Sequence, residues 1–144
     1  MYPFFLALFA AICWGVAPLF GKLGLKGIYP MNGLAARTVI TVFFVWGWFL
    51  ASGNLKSITT ISLRAWILLG IEAFFATFVG DLAYYAAIKY GYMGETALIL
   101  AASPLITLWL GYMILNENIS LPKIIGALLI VAGVVLIGLN TDYS

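Results

Sequence analysis

With 144 residues, 65% of them apolar and only 8% charged, this chain cannot clothe a water-facing surface, since ordinary soluble domains carry about 25% charge. The composition places it in the membrane class, and a net charge of +2 is too small for a nucleic-acid footprint. With no histidine and the single cysteine Cys13, it lacks the usual donors for zinc or haem and cannot close an internal disulfide. No cofactor is expected, and Cys13 reads as a small buried hydrophobe.

A bilayer-spanning helix needs about 20 apolar residues. Five stretches qualify, roughly 2–24, 31–52, 65–89, 95–116 and 121–139. Lipid-exposed backbone must satisfy its own hydrogen bonds, so these are helices rather than strands. The expected fold is an all-α membrane protein with five transmembrane helices in one domain over residues 1–144, multi-pass in the cell membrane.

The first span, "MYPFFLALFAAICWGVAPLF", has no Lys or Arg before its apolar core, and that core is too long for a signal peptide. It is expected to stay as a helix, with Trp14 near its middle, where an indole N–H wants a partner. "KGIYP" ends it. The second span brings Arg37 six residues into the apolar run, and "SGNLKSITTISLR" is the longest polar connection. The third span holds Glu72 and Asp81, the only charges between Arg64 and Lys89. "YGYMG" and "NENISLP" bound the fourth. The fifth, "KIIGALLIVAGVVLIGL", carries Gly126 and Gly133 seven residues apart, hence nearly on one face. With Ala127 and Ala132 they make a strip of small residues, which lets membrane helices approach closely.

An odd number of spans puts the termini on opposite sides, here termed A (N-terminal) and B. Side A loops hold Lys56, Arg64 and Lys123; side B loops hold Lys22, Lys26 and Lys89. Orientation follows Lys/Arg bias, and this tie gives none. A chain inserting both ways needs such a tie. Trp46, Trp48 and Trp66 fall near side A, where an aromatic belt belongs.

A carboxylate near the bilayer centre costs about 2.5–3.5 kcal/mol. Glu72 and Asp81 are nine residues apart, half a turn out of phase on an unbroken α-helix, so they are expected on opposite faces. Asp81 shares its face with Thr77, Tyr84 and Tyr85, a stripe suited to a cavity wall. At 1.5 Å per residue, Asp81 lies about 12 Å and Arg37 about 9–10 Å from side B. They can meet, either to fix packing or to serve a cavity. Glu72 has no basic residue of its own chain at its depth, and Leu68, Leu69, Phe75, Ala76 and Val79 surround it in sequence. Either hydrocarbon keeps it neutral, or its counter-charge comes from another chain. Glu95, in a first helical turn, is favoured by the helix dipole without any further role.

"AAICWGVAPLFGK", "ASPLITLWLGYMILNENIS" and "IIGALLIVAGVVLIGL" together resemble the EamA-type drug/metabolite transporters. The resemblance rests on the small-small-x-x-Trp-Gly of Ala10 to Gly15, on Pro104, on Glu117 closing the fourth span, and on the glycine-rich last helix. It implies one half of a ten-helix, inverted-repeat fold, so that two copies must assemble antiparallel. The substrate site would lie near the midplane between the halves. The related four-helix multidrug exporters keep a carboxylate in their first helix. Ala10 to Phe20 carries none, so any such role here falls to the third span.

The leading expectation is a secondary transporter of a small metabolite, amino acid or amphipathic compound, an antiparallel homodimer working by alternating access. Trp14, Thr77, Asp81, Tyr84, Tyr85 and Trp109 would line its cavity. Arg37, Glu72 and Asp81 would couple charge, and Gly126 and Gly133 would pack the dimer. The alternative is a non-transporting scaffold, or half of a heteromeric transporter with a paralogous chain. An enzyme is not expected without histidine, a cysteine pair or acids clustered on one face.

Overall fold

The computed structural model describes residues 2–53 and 55–139. Every regular element among them is helical. Five stretches are long and apolar enough to cross a membrane: 2–24, 30–51, 63–90, 93–115 and 121–139. The chain is a multi-pass membrane protein of the expected fold class, each span within two residues of its expected bounds. It divides into two compact units, residues 1–90 and 91–144.

The first unit opens with α1 (Tyr2–Gly24), which contains Pro18. A turn through Gly27, at φ 72°, leads to α2 (Pro30–Ala51), with Pro30 in its first turn, where no N–H is missed. A single turn, α3 (Leu55–Ile58), follows. The third span is α4 (Leu63–Ala73), a π-helix (Phe74–Gly80) and α5 (Asp81–Tyr90) in unbroken succession. Ser62 starts it, its hydroxyl accepting from the Ala65 N–H and so satisfying one of the free donors of the first turn.

Both α1 and α2 pack against α5. Leu25, Leu34, Tyr85 and Ile88 form the buried cluster, and Leu82 and Tyr84 lean on it. In hydrocarbon this joint is held by van der Waals fit rather than by escape from water. Gly33 is what lets it close: a Cβ there would collide with Leu25 and touch the Tyr85 ring. Lys89 Nζ ties the same end by donating to the Ile28 carbonyl, 2.7 Å away. The other end of the third span is bare. Every residue from Trp66 to Gly80 is exposed, and the main contacts of α4 are with the π-helix that continues it.

Cys13 is also exposed, which corrects the expectation of burial. It lies on α1, whose sole buried residue is Pro18.

In the second unit the fourth span is two helices, α6 (Met93–Leu100) and α7 (Ser103–Leu115). Ala101 and Ala102 form the turn between them, and Pro104 sits in the first turn of α7. Asn116 ends α7 in the left-handed region, which lets the next N–H, that of Glu117, return to the Gly111 carbonyl at 3.1 Å. Asn is one of the few residues that tolerate this conformation. The last helix, α8 (Leu121–Leu139), packs against α6.

Candidate functional site

The α2–α5 contact brings together the charges that depth alone could only suggest. Arg37 Nη1 lies 2.6 Å from Asp81 Oδ2, a charge-assisted hydrogen bond of the strong kind. The guanidinium also sits over the Tyr85 ring, Cζ 5.7 Å from its centroid, within cation–π reach. Tyr85 is buried and Tyr84 half-buried, so their rings hold this corner from the core side. The open side belongs to Arg37, whose side chain is 45% exposed against 24% for Asp81. A fork of five donors with one carboxylate contact keeps donors free for another acceptor.

Backbone chemistry supports the pair. Thr41 donates its hydroxyl to the Arg37 carbonyl and Thr38 donates to that of Leu34, both at 2.9 Å. Two polar side chains thereby settle within their own helix. Asp81 is the first residue after the π-helix. A π turn closes i→i+5 and takes in one residue more than an α turn, so its residues advance less than 100° each. The half-turn offset between Glu72 and Asp81 assumed 100° throughout and therefore does not carry over.

The remaining expected residues are more scattered. Thr77 lies within the π-helix and is exposed. Trp14, on α1, is 77% exposed, four residues before Pro18. Proline has no N–H to donate to the carbonyl four residues back, so the Trp14 oxygen lacks its regular helical donor. The sequence signal for that acceptor is "WGVAP", with Trp14 four residues before Pro18. Trp109 belongs to the second unit and is exposed. Glu72, near the end of α4, is exposed and has no ion-pair partner among the described residues. A Cβ added to Gly126 or Gly133 would meet nothing within 4 Å. Neither glycine is closely covered by a described residue.

The sequence model of the EamA-like transporter family matches residues 1–139. The chain belongs to that family. It is 27% identical over 138 residues to an uncharacterized transporter of Archaeoglobus fulgidus, a match covering 95% of this chain and 48% of the relative. It is also 27% identical over 133 residues to an "uncharacterized transporter in cobO 3'region" of a Sinorhizobium species, covering 92% of this chain and 94% of the relative. The chain thus spans about half the length of the first relative and nearly all of the second. No solved structure matches it.

Membership of the EamA-like transporter family directs attention to polar and charged groups at mid-depth in the spans. The Arg37–Asp81–Tyr85 corner is one. A second polar feature of this EamA-like chain lies at the end of α7. Thr107, Leu110, Gly111, Ile114, Leu115 and Glu117 line an open cleft of about 340 Å³, the Glu117 carboxylate lying against buried Gly111. The sequence marked Glu117 only as a helix end; the reversal at Asn116 brings it back along α7.

Proposed function

We propose that this EamA-like chain is a half-size secondary transporter that works as an antiparallel homodimer by alternating access. Its substrate is a small metabolite, an amino acid or an amphipathic compound. The observation that carries the reading is the pair of alignments: nearly the whole chain matches half of one transporter and almost all of another. Such coverage is what one repeat of a two-repeat transporter would give, and a repeat needs a second copy to enclose a midplane site. The Lys/Arg tie between the two sides supports insertion of the second copy upside down.

In this reading Trp14, Thr77, Asp81, Tyr84, Tyr85 and Trp109 line the cavity, and the Gly126 and Gly133 strip packs the copies together. Inversion carries the second copy's Arg37 to the A-side depth at which Glu72 stands without a partner. Arg37 would then have two carboxylates to choose between, Asp81 of its own chain and Glu72 of the other. Such a choice gives a rocking dimer two states that substrate can bias.

Topology reporters fused to the C-terminus test the reading. Reporters active only on one side and only on the other should both give signal, and two lysines added to a side A loop should silence one of them. A single active reporter in the unaltered chain overturns the antiparallel homodimer. Ligand-dependent melting of the purified protein, across amino acids and amphipathic cations, then identifies the substrate class.

A further inference from the structure

We infer that Phe74–Gly80 is a register joint: it exchanges between π- and α-helix and so turns the Glu72-bearing half of the third span relative to the Asp81-bearing half. Three observations meet there. The B-side half is held fast, by α1, α2, the buried cluster and the Arg37–Asp81 bridge. The A-side half is exposed throughout Trp66–Gly80, so packing within its unit does not oppose rotation. Between them lies a seven-residue π-helix, a rare element that marks functional sites when it interrupts an α-helix.

Gly80 adds the chemistry of the joint. A Cβ there would stand 2.9 Å from the Phe75 carbonyl oxygen, closer than side chains tolerate, and Phe75 is the residue five positions back, the acceptor position of a π turn. Glycine at 80 thus permits the π register, and any larger residue opposes it. The Phe74 and Phe78 rings, stacked with centroids 5.8 Å apart, clasp the π form from outside. Conversion to α, at unchanged length, turns α4 by about one residue position, roughly 100°, and carries Glu72 to another face. The use of this turn in transport rests on the antiparallel-dimer reading; the joint itself does not.

The test uses the full chain in lipid bilayers, Cys13→Ser, with spin labels at single cysteines placed over 65–71 and over 82–89. Oxygen accessibility along each stretch oscillates with the helical period, and its phase reports which face meets lipid. Gly80→Ala should shift the 65–71 phase by roughly 100° and leave the 82–89 phase alone. Deletion of Ala76 removes the extra residue, so both phases should stay as in the parent. Deleting a residue from an ordinary α-helix would turn the 65–71 stretch by that same angle, and this result overturns the proposal, as does an unshifted Gly80→Ala. Isotope-edited infrared of the Phe75 carbonyl in the parent needs no substitution at the joint: two amide bands report the two registers, and a single band overturns the exchange. None of these readouts involves transport. Transport lost in the Ala76 deletion, with both topology reporters still active, ties the joint to the cycle; loss of one reporter would instead count against the dimer.

Discussion

The two halves of the third span show opposite ways of keeping a carboxylate in a membrane. Asp81 sits where α2 crosses α5, and Arg37 of the same chain is 2.6 Å away. Glu72 lies one π-helix further toward side A, exposed, with no ion-pair partner among the described residues. Both acids occupy apolar sequence, so composition does not separate them. What separates them is which neighbouring helix reaches them. The buried cluster of the first unit is gathered around α5, whereas Trp66–Gly80 is exposed throughout. The contrast teaches that the A-side half is incomplete in a way the B-side half is not.

The sharpest way to break this contrast is to damage the paired half. Arg37→Ala leaves Asp81 in the span without its counter-ion, and an acid near the bilayer centre costs about 2.5–3.5 kcal/mol. A large drop in the melting temperature of the purified protein is expected, and Asp81→Asn, which keeps the shape and can still accept from Arg37, should cost much less stability while reducing transport. Equal melting of Arg37→Ala and the parent would place the bridge outside the fold's support.

Gly33→Ala should come next. Its Cβ would collide with Leu25 and touch Tyr85, and overpacking a tight joint costs about 1–3 kcal/mol. The loss would appear in the same melting assay. A matching change at Gly70, on the bare half, meets nothing within 4 Å and should leave melting unchanged.

How far the sequence reveals these differences depends on what each one is made of. The five spans are legible because each is a run of about 20 apolar residues, and the Arg37–Asp81 meeting is legible because 1.5 Å per residue converts position into depth. Hydrogen-bond register is not written in hydropathy. "FFATFVG" is as apolar in a π-helix as in an α-helix, so the π segment and its effect on the Glu72 phase stayed hidden. The same holds for the Ala101–Ala102 turn, which interrupts the fourth span without a polar residue, although Pro104 marks the place. Trp14 and Trp109, expected to line the cavity, are both exposed.

Gly133→Leu probes that second copy through a smaller effect. The position is open, so the single chain should insert and fold as before. Leucine on a strip of small residues would hold two helices apart, and a tenfold weaker dimer, about 1.4 kcal/mol, is expected from crosslinking over a dilution series in detergent. Unaltered assembly would remove the strip from the interface.

The smallest effect on the fold is expected at Glu72, and there the comparison is decided. Glu72→Gln should change the melting of the monomer by less than about 0.5 kcal/mol, as surface substitutions do, because the described chain gives the carboxylate no ion pair to lose. Under the antiparallel-dimer proposal its contribution belongs to the contact between copies. Glu72 is eight residues from Arg64, about 12 Å below side A at 1.5 Å per residue. Thr38, beside Arg37, lies at a similar depth below side B, and inversion of one copy brings the two levels together. A disulfide test should leave Arg37 in place, since removing it undoes the Asp81 bridge. Thr38→Cys on one tagged chain and Glu72→Cys on another, both with Cys13→Ser, answer the question without that cost. Oxidation should join differently tagged chains efficiently, and the Gly133→Leu change should reduce it. If only bonds within a chain form, Glu72 does not face the second copy's Arg37, and the exchange of Arg37 between two carboxylates falls.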